Sequence, residues 1–395
     1  MNRKSILTLS LVASLMFTGG CSVPSPSEVI VSPKILESQV KKEDINSIAK
    51  QFLPIKSKLV DVSKIATGKP VIKVDLDNDK KDEIIGFFDI PESFEKGFVV
   101  IKEKEGKWNK IYEYKGEGNK ILKSEIIDIN GNGKKTLLFG NLISTHAGAT
   151  YSLFTLNDDK INKVDLETWN KMDVVNTSLE NDKKGFVFAG WSLYGSDKAY
   201  LIDLVRFNGE KFTYAKDLYP QYFKGVVKYY KDIMVKDSKD VAHWYFLADS
   251  QVKANMYNDA LNSIKKGIDA TNDENGTFKG FDDTQFNLLR AQSLNGLKKY
   301  DEAKKLAEEA AGKQLNKLEA NKKDKDDKNN FIYMNDEKTL ANIYLELANS
   351  YYKLKQDDKR MQYYQKYLEV IKNLEKKEYF KDELVKDNVE LNEIK

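Results

Sequence analysis

The chain has 395 residues, which is enough for two or three domains. Its 64 lysine and arginine residues nearly balance 61 acidic residues, and almost all of the basic residues are lysines. Arginine is the residue best suited to bidentate contacts with phosphates and bases, so this composition argues against nucleic acid as a partner.

The first residues have the layout of a secretory signal. Arg3 and Lys4 give a positive start, and Ser5–Gly20 carries no charge. The apolar part is too short for a hydrocarbon core of ~30 Å, which needs about 20 apolar residues. The segment ends in Thr18-Gly19-Gly20-Cys21, which resembles the lipobox of bacterial lipoproteins. This resemblance implies cleavage after residue 20 and a diacylglyceryl group on Cys21.

The lipobox resemblance also implies a location. The mature chain would be held on the extracytoplasmic face of the cell membrane by its two acyl chains. Cys21 is the only cysteine, so its lipidation leaves no thiol for a disulfide, a zinc site or a nucleophile. Residues 1–20 are therefore predicted to be a signal peptide, and residues 21–53 a tether with a short helix within Ile35–Phe52. The alternative is a soluble secreted protein without a lipid.

Residues 54–219 are predicted to form an all-β domain. Short apolar or alternating runs are separated there by Gly, Asn, Asp and Lys turns. After Pro220 the spacing becomes helical, so residues 220–395 are predicted to form a separate all-α domain, and the fold class is multidomain α+β. The candidate strands are Val71–Val74, Ile84–Phe88, Phe98–Lys102, Trp108–Tyr114, Ile121–Ile127, Leu137–Phe139, Tyr151–Leu156, Phe186–Trp191, Tyr200–Phe207 and Lys211–Ala215.

An aspartate-rich loop between the first two candidate strands is the strongest chemical motif. Asp75, Asp77 and Asp79 alternate along it, and Glu83 stands just before the next strand. Converging carboxylates repel one another without a cation, and calcium prefers 6–8 oxygen ligands. The sequence therefore predicts a structural calcium ion held by these four side chains and the carbonyl of Lys81. The alternative is a set of turns that bind nothing.

This loop resembles the calcium loop of FG-GAP and VCBS-type repeats, which form blades of integrin-like propellers. Lys80 stands where such loops carry glycine, a position that often needs a positive φ. A second copy begins at Asp128, with Asn130 and Asn132 as weaker metal ligands, and a third is Glu180–Gly185. The period of about 50 residues suits one four-stranded, propeller-blade-like unit per repeat. A β-sandwich is the alternative architecture.

Residues at helical spacing mark two neighbouring helices at the start of the helical half, namely Trp244, Leu247 and Ala248, then Tyr257, Ala260, Ile264 and Gly267. This pattern resembles tetratricopeptide repeats, which are pairs of antiparallel helices. Small and aromatic residues recur at the helical spacing of that family in three copies. The resemblance implies a stack of helix pairs with a groove for a protein or peptide partner; an ordinary helical bundle is the alternative. The groove candidates on the first helix of each pair are Tyr245, Asp249, Lys253, Gln292, Asn295, Asn349, Tyr352 and Lys353.

The sequence contains none of the short catalytic motifs that would indicate an enzyme. It lacks a Gly-x-Ser-x-Gly elbow, a His-Glu-x-x-His helix and a phosphate-binding Gly-Lys-Ser/Thr loop. We therefore predict a non-enzymatic, lipid-anchored protein that binds or scaffolds a partner through its helical repeats. Two alternatives stay open, namely a cell-wall or polysaccharide-binding lipoprotein that uses the β domain and a hydrolase of envelope polymers.

Overall fold

The computed structural model describes residues 44–60, 62, 69–129, 133–157, 159–175, 186–194, 198–207, 212–234, 240–271, 281–321 and 331–375. The predicted signal peptide, Cys21 and the first part of the tether lie outside these ranges, so the lipid anchor stays a prediction. Within the described ranges, no helix is both long enough and apolar enough to cross a membrane.

Thirteen strands precede Tyr219 in the described part of the chain, and they pair with one another in antiparallel fashion. They are β1 (Lys58–Leu59), β2 (Val71–Val74), β3 (Glu83–Ile90), β4 (Glu95–Lys104), β5 (Lys107–Glu117), β6 (Lys120–Ile127), β7 (Thr136–Ser144), β8 (Gly148–Asn157), β9 (Lys160–Trp169), β10 (Lys171–Val175), β11 (Phe186–Leu193), β12 (Tyr200–Phe207) and β13 (Phe212–Tyr214).

The strands form three sheets in which neighbours in sequence are also neighbours in space. The first sheet has the order β1-β3-β4-β5, with β2 also paired to β3. The second has the order β6-β7-β8-β9 and the third β10-β11-β12-β13. Four-stranded units thus begin at Val71, Lys120 and Lys171. This spacing agrees with the predicted period of about 50 residues, although the first sheet has β1 as a fifth strand.

Aromatic side chains join the first sheet to the second. Phe87 and Phe98 of the first sheet share one apolar cluster with Phe139 and Phe154 of the second. The ring centroids of Phe98 and Phe154 lie 4.8 Å apart, edge to face. Another cluster joins the second sheet to the third. Alternate residues of each strand enter these clusters because successive side chains point to opposite faces of a sheet.

Helices occupy both ends of the described chain. One short helix, α1 (Ile45–Gln51), precedes the sheets and ends before Pro54, as predicted, and its buried residues pack on the first sheet. The helices that follow the sheets are α2 (Tyr219–Met234), α3 (Val241–Lys253), α4 (Tyr257–Thr271), α5 (Asp283–Gly296), α6 (Tyr300–Ala320), α7 (Phe331–Lys353) and α8 (Asp357–Glu375).

Helices α3 to α8 form three pairs that are joined by identical turns. Asn255, Lys298 and Lys355 each occupy the left-handed region, with φ values of 59°, 63° and 58°. In every turn, the residue that follows this left-handed residue donates its backbone N–H to the carbonyl of the residue five positions before it, at 2.8–2.9 Å. This arrangement is a Schellman motif, which ends the first helix and reverses the chain. The repetition confirms the predicted tetratricopeptide-like helical part.

A single apolar cluster crosses the predicted domain boundary at residues 219 and 220. It contains Trp191 and Leu204 of the third sheet, Phe223 and Tyr230 of α2, and Phe246 of α3. The Tyr230 hydroxyl also bonds to the backbone of strand β12. The boundary itself stays a prediction, but packing across it is continuous.

Candidate functional site

The loop between β2 and β3 is shaped by its first aspartate. The Asp75 carboxylate accepts the backbone N–H groups of Asn78 at 2.7 Å and of Lys80 at 2.9 Å. Asn78 and Lys80 have φ values of 66° and 69°, in the left-handed region that L-residues seldom occupy. Lys80 therefore adopts the positive φ that this position often needs, although it is not glycine.

Lys102 of strand β4 reaches the centre of this loop. Its Nζ lies 2.5 Å from an oxygen of Asp77 and 3.1 Å from oxygens of both Asp79 and Glu83. A fourth carboxylate, Asp159 in the β8–β9 turn, lies 3.8 Å away. The Lys102 side chain is only 10% exposed. One ammonium group therefore joins the aspartate loop, the first sheet and the second sheet.

Burial and ion pairing have opposite effects on the pKa values of the groups in this cluster. Burial raises the pKa of the Glu83 carboxyl, although the N–H of Leu76, at 2.9 Å, and Lys102 both act to lower it. Hydrogen bonding to Lys102 lowers the pKa of Asp79. Burial alone would lower the pKa of Lys102, but its bonds to three carboxylates outweigh burial and raise it. The lysine is therefore positively charged at neutral pH.

The predicted calcium ligands lie together, but several of their carboxylate oxygens already contact other groups of the chain. Oxygen atoms of Asp75, Asp77 and Glu83 lie within 4.8 Å of one another, a spacing that could suit a cation. The N–H of Lys81 donates to Asp79 at 2.8 Å. The ammonium of Lys102 already contacts one carboxylate oxygen of Asp77 and one of Glu83. The calcium site stays a prediction, and sequence reasoning missed Lys102.

The second loop is held by similar contacts and touches the first. Asp128 accepts the N–H of Gly133 at 2.9 Å, and its carboxylate lies 3.6 Å from Nζ of Lys135. The N–H of Lys135 donates to the carbonyl of Leu76 at 2.9 Å, which ties the two loops together. The other weak ligands, Asn130 and Asn132, lie outside the described residues, as does the third copy, Glu180–Gly185.

The groove candidates on α3 contact other residues of the chain. The Tyr245 ring stacks on Phe281 with centroids 3.9 Å apart, and burial raises the pKa of its hydroxyl. Asp249 and Lys253 form an ion pair of 2.8 Å within one helix. Nζ of Lys253 also lies 5.0 Å from the ring centroid of Phe223. All three groove candidates on α3 therefore have partners within the chain.

The candidates on α5 and α7 meet at a buried glutamate that sequence reasoning missed. Asn295 of α5 donates to a carboxylate oxygen of Glu346 on α7, and to the hydroxyl of Ser350 at 2.7 Å. Asn349 also hydrogen-bonds Glu346. Glu346 is 7% exposed, and burial raises the pKa of its carboxyl to about 7, against the lowering effect of the two amides. This polar contact joins the second helix pair to the third.

Two candidates at the end of α7 remain open to solvent. Tyr352 is 55% exposed, and Lys353 is exposed beside it. Nζ of Lys353 and the guanidinium of Arg360 each lie 5.4 Å from the Tyr352 ring centroid. Gln292, the remaining candidate, is half-buried on α5. Tyr352 is thus an exposed aromatic side chain with two cations close to its ring.

Solved structures that are similar to this chain include a tetratricopeptide-repeat protein. No protein-family model matches the chain, and no curated protein matches it. The chain is similar, at 15% identity, to the crystal structure of YrrB, described as a TPR protein with an unusual peptide-binding site. The similarity covers 38% of this chain and 77% of that chain, with a TM-score of 0.20. The helical part of this chain is defined by its own repeated helix pairs and turns.

Proposed function

We propose that the chain is a non-enzymatic lipoprotein, anchored by a lipid on Cys21, whose helical repeats bind a protein or peptide outside the cytoplasm. The binding proposal is carried by the face that the first helices of the three pairs share. α3 contacts α5, and α5 contacts α7. Stacked helix pairs with such a face form a groove that suits an extended peptide or a partner helix.

The chemistry along this face favours a polypeptide partner. Amide side chains of Gln292 and Asn349 can donate and accept hydrogen bonds, as the peptide backbone requires. At the end of α7, Tyr352 offers an exposed aromatic ring with Lys353 and Arg360 close to it. This arrangement suits a segment that carries an apolar residue next to an acidic one.

Site-specific photocrosslinking in the full chain tests the groove. A photoreactive phenylalanine analogue would replace Tyr352, and the same analogue would replace Leu315 as a matched control. Leu315 lies on α6, a second helix, and is 46% exposed, close to the 55% of Tyr352. We expect one defined polypeptide to crosslink at position 352 and not at 315. Equal products at both positions would contradict binding by the first-helix face.

The polysaccharide alternative makes a different prediction. Sugar binding usually uses exposed aromatic rings, and among the described residues Phe94 and Tyr352 are the exposed aromatic ones. Phe94 lies in the β3–β4 turn, at the end of β3 remote from the aspartate loop. Retention of the full chain on purified cell-wall glycan, lost in Phe94→Ala and kept in Tyr352→Ala, would favour the β domain as the binding part.

Membrane fractionation tests the anchor. Cys21→Ala should release the chain from the membrane fraction, because the proposed diacylglyceryl group has no other thiol to attach to. Ser22→Ala changes the neighbouring residue and serves as the control. Mass spectrometry of the mature N-terminus should show the lipid in the control only. A Cys21→Ala chain that stays with membranes as the wild type does would refute the anchor.

A further inference from the structure

The ammonium of Lys102 occupies the place in the aspartate loop where the sequence predicts a metal ion. A lysine ammonium has three N–H donors. Three carboxylates, those of Asp77, Asp79 and Glu83, lie 2.5–3.1 Å from Nζ. The contact with Asp77 has hydrogen-bond geometry, and those with Asp79 and Glu83 are ion pairs. Three of the four acidic side chains that were predicted to bind calcium therefore already contact one positive charge.

The stem of Lys102 is fixed by the strand that carries it. Phe98, Val100 and Lys102 lie on the same face of β4, because alternate residues of a strand share a face. Phe98 and Val100 are in the apolar cluster between the first and second sheets. Glu83 and Phe87 lie on the matching face of β3, and Glu83 is 0% exposed. The buried glutamate and the lysine are thus part of one core.

We propose that Lys102 is the resident cation of this loop, so that the β domain folds without calcium and holds no free place for it. This loop differs from the calcium loop that the sequence resembles because a positive charge of the chain itself, the Lys102 ammonium, lies among its carboxylates. Calcium needs 6–8 oxygen ligands, and an ammonium inside the carboxylate cluster blocks the approach to three of them. This inference is independent of the lipid anchor and of the helical groove.

The proposal predicts that removing the ammonium exposes a calcium site. Lys102→Met keeps a long apolar stem and leaves Asp77, Asp79 and Glu83 without a cation. We expect this full-chain variant to melt well below the wild type in chelator and to regain stability in calcium, with a Kd on the order of 10⁻⁴–10⁻³ M. The wild type should melt at one temperature in chelator and in millimolar calcium.

Lys104→Met is the matched control. Lys104 is the next lysine on the same face of β4, but its side chain is 46% exposed and contacts only Asp159 of this cluster in the described residues. It should behave as the wild type does in both media. Isothermal titration with calcium chloride gives a second measurement of binding. Calcium that stabilises the wild type, or a folded Lys102→Met chain that does not respond to calcium, would overturn the proposal.

Asp77→Asn decides the question if Lys102→Met does not fold. This change removes the carboxylate closest to Nζ. With Lys102 as the cation, the variant melts slightly lower than the wild type by the same amount with and without calcium. If calcium is the resident ion, the wild type melts higher in calcium than in chelator, and Asp77→Asn abolishes that difference.

Discussion

Stability of the helical array should fall as pH rises, because Glu346 is buried between α5 and α7. Its folded-state pKa of about 7 lies above the ordinary value of 4.5. Between these two values, the folded chain holds a proton that the unfolded chain has released. The unfolding free energy therefore decreases with increasing pH through this window, and it is constant above and below it.

The size of the effect follows from the same two pKa values. A tenfold change in proton affinity is worth about 1.4 kcal/mol. A rise from 4.5 to about 7 therefore corresponds to about 3 kcal/mol of unfolding free energy lost between about pH 4.5 and about pH 7. Glu346→Gln removes the titrating group and keeps an oxygen for Asn295, so this loss should disappear.

Urea titration of helical circular dichroism, repeated across this pH range, measures the effect. We expect Glu346→Gln to be more stable than the wild type by up to about 3 kcal/mol near pH 8 and equal to it near pH 4. Glu309→Gln, which removes an exposed carboxylate on α6, is the matched control and should follow the wild-type profile. Parallel profiles for Glu346→Gln and the wild type would refute the reasoning.

Two further predictions concern the packing of the third sheet. Tyr230→Phe removes a buried hydroxyl that bonds a backbone N–H of β12 at 2.9 Å, so urea titration should show a loss of about 1–3 kcal/mol. Tyr229→Phe removes only an exposed hydrogen bond and should lose less than about 0.5 kcal/mol; equal losses would contradict this. Gly190→Ala should lower the melting temperature, because the added Cβ would lie 2.0 Å from the Trp169 ring. Gly225→Ala on α2 meets open space and should gain about 0.5–1 kcal/mol; a Gly190→Ala chain that melts at or above the wild type would be decisive against the packing argument.

The strands that could be predicted from sequence are those with a continuous or alternating apolar run, whether their residues are buried, as in β3, or not, as in β5. Val71–Val74 and Tyr200–Phe207 match β2 and β12 residue for residue. β9 was missed because most of its residues are polar and only Trp169 is buried, so neither an apolar run nor clear alternation marks it. It is an edge strand of the second sheet. Its conformation depends on pairing with β8, which a pattern within one strand does not reveal.

The candidate site could be predicted only in its local part. The aspartates of the loop are close in sequence, so their convergence was predictable. Lys102 comes from the next hairpin strand, and antiparallel pairing of β3 with β4 brings it to Glu83. One signal was present, because Lys102 continues the inward-facing series of Phe98 and Val100, where an apolar residue is expected. Glu346 gave a similar signal as a charged residue within the apolar face of α7.

The third sheet has a role at the beginning of the helical array. A stack of helix pairs leaves an apolar face at each end, and such arrays need a capping element there. Here α2 and the third sheet cover the first pair, with the ring of Tyr194 lying 5.5 Å from Phe246 of α3 and 5.3 Å from Phe281. The indole N–H of Trp191 also donates a hydrogen bond to the hydroxyl of Tyr222 in α2 at 2.8 Å. A fragment cut at residue 220 would expose this surface to solvent, so partner binding must be measured on the full chain.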